Sequence, residues 1–154
     1  MRALGIDHCG FHAEIKLLDE GCRVVEVNGR LGGGYITSHA VPMATGVDLI
    51  TAALRAALGE AVDVVASRRS AACILSLLAQ RPGVVREWHG LDGLAAMPGV
   101  RHVIVDRPLG TALRMPPQSY MERKLCRVIT EAPAAQQALD DAERAIASVR
   151  CVVA

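Results

Sequence analysis

Hydrophobic and polar residues alternate in two neighbouring stretches near the start of the chain, GFHAEIKLL (10–18) and CRVVEVN (22–28). Alternation of this kind is typical of β-strands that have one apolar face. The intervening Asp-Glu-Gly suits a hairpin whose type I turn is followed by a left-handed glycine. The pattern favours a register with Leu18 opposite Cys22, because a two-residue loop would shift the pairing by one and mix the two faces.

This register gives the predicted hairpin an apolar face and a polar face. The apolar face carries Phe11, Ala13, Ile15, Leu17, Val25 and Val27, with Arg23 as an exception. The polar face carries His12, Glu14, Glu26 and Asn28. We therefore expect two carboxylates to face each other across the hairpin.

The rest of the pattern predicts an α+β fold in two parts. After a glycine-rich loop at 32–34 and a short segment at 38–44, a helix is expected over 47–59, with Asp48 near its start and Gly59 ending it. The further predicted elements are strands at 71–79, 84–90, 100–106, 125–132 and 150–154, a helical turn at 91–99 and an amphipathic helix at 133–149. We place the domain boundary between 1–62 and 63–154, the second domain being small and rich in antiparallel strands.

Composition narrows the function classes. The chain has 154 residues, of which 51% are hydrophobic and only 3% aromatic, and its net charge is +1. A near-neutral chain with few aromatic residues gives no reason to expect a nucleic acid or an anionic membrane as partner. No apolar run approaches the roughly 20 residues of a membrane span. Five irregularly spaced cysteines do not indicate a disulfide framework, so we expect a cytoplasmic protein.

The polar face of the hairpin carries the candidate chemistry. Like charges paired across a ladder, with Cβ atoms about 4.5–5.5 Å apart, need a cation, a shared proton or full exposure to water. With the amide oxygen of Asn28, Glu14 and Glu26 form an oxygen-only set that suits Mg²⁺. Arg30 is shaped to bind a phosphoryl or carboxylate group, and the glycines at 32–34 let backbone N–H groups approach an anion.

Several alternatives remain open for these residues. The charged face could simply be solvated, although strict alternation of Glu26, Asn28 and Arg30 disfavours that. The sequence His-Cys-Gly-Phe-His at 8–12 could suggest zinc, but no second pair of ligands lies at a suitable spacing. His12 is either a substrate contact or a structural histidine, and His39 either caps the next segment or faces the site.

Residues 12–59, HAEIKLLDEGCRVVEVNGRLGGGYITSHAVPMATGVDLITAALRAALG, resemble the C-terminal half of an ATP-grasp ligase domain. That family's signature is a Glu on one strand, Glu-x-Asn-x-Arg on the next, a Gly-containing loop and an Ala-Thr-Gly-Val-Asp-Leu helix start. The resemblance implies Glu14 and Glu26 as the cofactor-binding and metal-binding glutamates, joined by Asn28 at the metal. It implies Arg30 as the catalytic arginine at an acyl phosphate. The implied substrate- and acyl-phosphate-binding residues are Arg30, Gly32, Gly33 and His12.

Two later stretches, GVVREWHGLDGLAAMPGVRHVIVDRPLGTAL (83–113) and RVITEAPAAQQALDDAERAI (127–146), are similar to the C-terminal β-rich domain of L-amino acid ligases. This resemblance implies a carboxylate–amine ligase that uses ATP and one or two Mg²⁺ ions, with Mn²⁺ as an alternative, and acts through an acyl phosphate. Its substrates would be a carboxylate and an amine, both expected to be amino acids.

The chain lacks the family's N-terminal domain and its lid with phosphate-binding lysines, since its only lysines are Lys16 and Lys124. We therefore expect the C-terminal portion of a ligase, inactive alone, whose partner is the missing N-terminal half or a second copy. The surface left uncovered predicts at least a weakly held dimer. The competing interpretation is a non-catalytic binding or assembly module that has kept the ATP-grasp shell.

Overall fold

A computed structural model describes residues 2–154 and divides the chain into two compact units, one ending at Arg69 and one beginning at Ser70. The elements of the first unit are a 3₁₀ turn at Arg2–Leu4, β1 His12–Leu18, β2 Gly21–Asn28, a π-helical turn Ile36–Ala40, α1 Val41–Thr45 and α2 Leu49–Ala57. Those of the second unit are β3 Ala71–Leu78, β4 Gly83–His89, α3 Leu91–Leu94, β5 Val100–Val105, β6 Ala112–Leu113, β7 Lys124–Ala132, α4 Ala135–Ala147 and β8 Arg150–Val153. The α+β fold class is confirmed.

Strands β1 and β2 form the predicted antiparallel hairpin, but its register changes along its length. Glu14 lies opposite Glu26, as predicted. The predicted pairing of Leu18 with Cys22 is wrong, because Leu18 lies opposite Gly21. The two registers are reconciled by a β-bulge after Glu14, which leaves Val25 as an extra residue in β2.

The bulge removes the polar exception from the apolar face. Ile15 now pairs with Val24, and Lys16 pairs with Arg23. Because directly opposed residues share a face, Arg23 joins the polar side and Val24 joins the apolar side. A regular ladder could not do this, since no single register satisfies both the turn and the pairing of the two glutamates.

Helix α2 begins and ends where its sequence signals predict. The Asp48 carboxylate accepts hydrogen bonds from the backbone N–H groups of Ile50 and Thr51, at 3.0 and 3.1 Å. These bonds satisfy two of the donors that a helix start leaves unpaired. Gly59, with φ +74°, follows the C-cap residue Leu58. The observed helix is shorter than the predicted 47–59 because residues at its two ends serve as caps.

The second unit consists of two three-stranded antiparallel sheets, ordered β3-β7-β5 and β6-β4-β8. The sequence predicts every one of these strands except β6, which has two residues and lies in the stretch rich in proline and glycine at 108–117. Helix α4 packs on β3 and β7 through buried alanines at 138, 142 and 145, spaced along one helical face.

Two clusters of buried side chains form the core of the second unit. The first comprises Leu94, Val100, Cys126, Val128, Ala142, Ala145 and Val149. The second comprises Ala79, Val85, Leu113, Leu125 and Val153. Burial raises the pKa of the Cys126 thiol to about 11, which keeps it neutral and unreactive, as expected of a cysteine that serves as a small hydrophobic residue.

Across residues 2–154 no single helix is long and apolar enough to cross a membrane. One pair, Ile36–Thr45 with Leu49–Ala57, meets the criteria of length and composition only when taken together, and it is bent by 114°.

Candidate functional site

The open end of the β1–β2 hairpin brings together the four polar residues that the sequence singles out there. Glu14 lies opposite Glu26, and His12 lies opposite Asn28. The Nε2 atom of His12 is 3.6 Å from Oε1 of Glu14. The side-chain amide of Asn28 donates a hydrogen bond to Oε1 of Glu26. Each of the two carboxylates therefore lies next to a residue of the His12–Asn28 pair, which ends the hairpin.

The charges of the two glutamates are only partly compensated within this group. The His12 side chain, 25% exposed, can offset Glu14 when it is protonated. Glu26 receives a neutral amide donor. Both glutamates are exposed, so water screens their repulsion in the metal-free chain and leaves the pair accessible to a cation. The amide nitrogen of Asn28 faces Glu26, which leaves the amide oxygen as its free ligating atom.

The donor set at this end of the hairpin matches part of the coordination shell of Mg²⁺, the ion that the sequence implies. Over residues 2–154 no cluster of three or more His, Cys, Asp or Glu side chains could hold a metal by itself. Two carboxylates and one amide oxygen nevertheless fit Mg²⁺, which is typically held by one or two carboxylates and completes its shell with water and substrate phosphates. The residues present fit half of a magnesium–phosphate site rather than a closed protein cage.

The glycine-rich loop lies beside His12. A Cβ atom on Gly32 would lie 3.0 Å from Nδ1 of His12, so a larger residue would push the imidazole away by a few tenths of an ångström. A Cβ atom on Gly33 would meet nothing within 4 Å, which leaves this part of the loop open to a ligand. Gly34 and Tyr35 both have positive φ, +64° and +70°. Two such residues in succession form the turn that leads into the π-helical segment.

A buried threonine that the sequence analysis missed anchors this loop. Thr37 is 6% exposed, and its hydroxyl donates to the carbonyl oxygen of Gly32 at 2.8 Å. The backbone N–H of Ile36 also donates to the carbonyl of Gly33, at 3.1 Å. These two bonds hold the carbonyl groups of Gly32 and Gly33 and so fix the conformation of the loop. Thr37 sits in an unremarkable Ile-Thr-Ser context, so no pattern identifies it in advance.

Arg30 lies two residues beyond the end of β2. Its Nη1 atom donates to the carbonyl oxygen of Leu31 at 3.0 Å, and the residue is exposed. The structure thus places Arg30 at the site end of the hairpin, with its guanidinium turned toward its own main chain. An exposed guanidinium held by one hydrogen bond can reorient at little cost when an anion binds.

His39 does not cap the following helix. The N-cap of α1 is Ala40, which has no side-chain cap. Nδ1 of His39 is instead 2.8 Å from the Ser38 hydroxyl oxygen. Its ring packs edge-on against Tyr35, with centroids 5.3 Å apart. His39 therefore helps to hold the turn that follows the glycines.

Comparison with known proteins places the chain in a family. Residues 76–154 match the family model described as "L-amino acid ligase C-terminal domain 2". An uncharacterized protein of Sinorhizobium fredii, y4rH, is 32% identical over 149 residues, which is 97% of this chain and 30% of that protein. The chain therefore spans less than a third of the length of this relative.

Solved structures show the same fold. Phosphoribosylglycinamide synthetase from Anaerococcus prevotii matches with a TM-score of 0.79 and 13% identity, over 99% of this chain and 39% of that one. L-amino acid ligase from Bacillus licheniformis matches with a TM-score of 0.78 and 17% identity, over 94% and 36%. N5-carboxyaminoimidazole ribonucleotide synthetase from Thermotoga maritima matches with a TM-score of 0.65 and 20% identity, over 94% and 37%. The chain belongs to the family of L-amino acid ligase C-terminal domains and has the fold of the C-terminal portion of ATP-grasp ligases.

Proposed function

We propose that this chain supplies the magnesium- and acyl-phosphate-binding half of an ATP-dependent ligase that joins a carboxylate to an amine. The observation that carries the proposal is the pairing of Glu14 with Glu26 at the open end of the hairpin, next to Asn28. A role in a carboxylate–amine ligase would explain why the two carboxylates face each other, because an ion between them relieves their repulsion and can bind phosphate.

In the proposed reaction the acid substrate takes a phosphoryl group from ATP, and the amine then displaces phosphate from the acyl phosphate to form an amide. Mg²⁺, when bound, would neutralise phosphate oxygens. Glu14 and Glu26 would hold the ion, and Asn28 orients the Glu26 carboxylate through its amide hydrogen bond. These residues would fix the positions of charges before the reaction begins, and most phosphoryl-transfer sites lower their activation barrier in this way.

The anion side of the site is provided by the loop and by Arg30. Arg30 would exchange its bond with the Leu31 carbonyl for a two-pronged contact with the acyl phosphate. The backbone N–H groups of Gly32 and Gly33 would donate to the same group, in a loop whose conformation is fixed by the bonds of Thr37 and Ile36 to its carbonyl groups. His12 lies between this loop and Glu14 and would contact the acid substrate.

The remainder of the site would come from outside this chain, which spans 30–39% of the relatives and structures compared. Ile15, Leu17 and Val24 on the apolar face of the hairpin are 54%, 77% and 66% exposed. An uncovered two-stranded sheet is marginally stable, so this face suits contact with the absent N-terminal portion, or with a second copy in its place. Without that contact we expect no turnover.

Mn²⁺ is a direct probe of the proposed metal site, because its unpaired electrons broaden the NMR signals of nuclei close to it. Added at substoichiometric concentration to the ¹⁵N-labelled chain, it should broaden the amide signals of residues 12–14 and 26–28 first. Excess Mg²⁺ should restore them. Glu26→Gln should lose the effect, because it removes one of the two charges while keeping the shape of the side chain.

Glu20→Gln is the matched control, since Glu20 lies in the turn of the same hairpin and forms an ion pair with Arg23, at 3.3 Å. The amide signals of Glu20→Gln should broaden as those of the wild type do. Broadening that persists in Glu26→Gln, or that centres on other acidic residues, would overturn the proposed metal site and favour a non-catalytic module.

A further inference from the structure

A cleft of about 550 Å³ lies within the second unit and has no role in the proposed chemistry. One wall is formed by residues 77–81, at the end of β3, and the other by residues 149–153, which include β8. Leu125 also lines it. The volume is within the range of about 300–1,000 Å³ that is typical of small-molecule sites.

The two walls are edges of different sheets. β3 is the outer strand of one three-stranded sheet, and β8 is the outer strand of the other. Outer strands present main-chain N–H and C=O groups that can pair with an added extended segment. Unpaired main-chain groups of these two strands could therefore bind a peptide-like ligand in the cleft, apart from the carbonyl of Val153, which already accepts from Arg81.

The polar groups of the cleft are positively charged. Arg81 and Arg150 are both exposed residues that line it, and no Asp or Glu is among its lining residues. Arg81 donates through Nη2 to the main-chain carbonyl of Val153, an uncharged acceptor. Within residues 2–154 neither arginine forms an ion pair. Two uncompensated guanidinium groups beside an apolar cleft favour a ligand with a carboxylate at one end.

The apolar lining specifies the rest of that ligand. Leu77, Leu78 and Val152 line the cleft and are partly exposed, so they contribute its hydrophobic surface. Burial raises the pKa of the Cys151 thiol, so this residue contributes a neutral side chain. An aliphatic side chain fits such a surface, while a second charge would not.

We propose that this cleft binds an N-acylated aliphatic amino acid with a free carboxylate, through the arginines at its rim and the outer strands at its sides. This chemistry occurs in a free acyl amino acid or short peptide and in the C-terminal residue of a longer chain. The proposal depends on the second unit alone and stands whether or not the hairpin binds metal.

The test uses N-acetyl-L-leucine as the probe and ¹H–¹⁵N NMR of the full chain as the readout. Saturable shifts are expected for amides at 77–81 and 149–153, with the hairpin amides at 12–28 unchanged. N-acetyl-L-leucinamide, which lacks the carboxylate, should bind about tenfold more weakly, because one charge-assisted hydrogen-bonding group is lost. Arg150→Gln should weaken binding of the acid by a similar factor and leave binding of the amide unchanged.

Arg86→Gln is the matched control, because Arg86 is an exposed residue of β4 and does not line the cleft. It should bind the acid like wild type. N-acetyl-Ala-Ala-Leu separates the two sources: tighter binding than N-acetyl-L-leucine indicates a peptide terminus, and equal binding indicates a small molecule. Equal binding of acid and amide, shifts outside the cleft, or none at 20 mM acid (about twenty times a 1 mM Kd, a weak affinity) would overturn the proposal.

Discussion

Replacing Glu26 by glutamine should stabilise the metal-free hairpin and remove its response to Mg²⁺. Glu14 and Glu26 lie directly opposite each other. Two unit charges about 5 Å apart repel by about 0.8 kcal/mol in water, and physiological salt reduces this to about 0.5 kcal/mol. The glutamine keeps an oxygen that can accept the amide hydrogen bond of Asn28. The substitution therefore changes charge while preserving shape and hydrogen bonding.

Amide hydrogen exchange of residues 12–28 measures this effect where it occurs. A gain of about 0.5 kcal/mol slows exchange of the Glu26→Gln hairpin about twofold in the absence of metal. In wild type, Mg²⁺ at ten times its Kd should stabilise the hairpin by about 1.4 kcal/mol, which slows exchange about tenfold. The order of the two proteins is thus expected to reverse when Mg²⁺ is added at constant ionic strength.

Salt provides an internal check on the cause. At 1 M NaCl the Debye length falls to about 3 Å, so the metal-free difference between the two proteins should disappear. If Glu26→Gln exchanges faster than wild type without metal, or both slow equally with Mg²⁺, then the two carboxylates do not repel across the hairpin and the reasoning fails.

Three further predictions concern the second unit. The hydrogen bond from Arg114 lowers the pKa of Glu122 from its ordinary 4.5 to about 2. The stability that this pair provides is therefore present above pH 4.5 and is lost as pH falls toward 2. In thermal unfolding measured against pH, Glu122→Gln should lose less stability on acidification than the wild type. Gly99→Ala should be strongly destabilising in urea titrations, because Gly99 has φ +75° and an added Cβ would lie 2.3 Å from Oδ2 of Asp141. Its control is Gly93→Ala, which has open space around the added Cβ and should be neutral or slightly stabilising. Leu94→Ala should cost about 3 kcal/mol, because Leu94 is fully buried, while Leu54→Ala, at a position 63% exposed, should cost well under 1 kcal/mol; similar costs for the two would contradict the core assignment.

The sequence pattern predicts the elements of this chain well because each has a local signal. The pairing of Glu14 with Glu26 follows from alternation, and the start of α2 follows from Asp48 as N-cap. The predicted turn of the hairpin is wrong because a bulge allows two registers in one ladder. A single alternation pattern indicates only one register. Arg23, the one polar residue on the predicted apolar face, was the available signal of an irregular strand.

The parts of the site that the sequence analysis missed depend on contacts distant from any motif. Nothing in the sequence indicates that Thr37 reaches back to the carbonyl of Gly32, or that Gly32 leaves room for His12. The cleft between residues 77–81 and 149–153 joins segments about seventy residues apart, so periodicity within either segment cannot reveal it. The roles of Glu14, Glu26 and Arg30 in binding metal and acyl phosphate stay predictions.

The extra residue at position 25 makes the two ends of the hairpin independent of one another. Removing Val25 would convert the ladder to an uninterrupted one in which Ile15 still meets Val24 and Glu14 still meets Glu26. A chain one residue shorter could thus keep its acidic pair in place. The loss of this one residue would be absorbed at the bulge, so the hairpin could shorten by one residue while Glu14 and Glu26 stay paired.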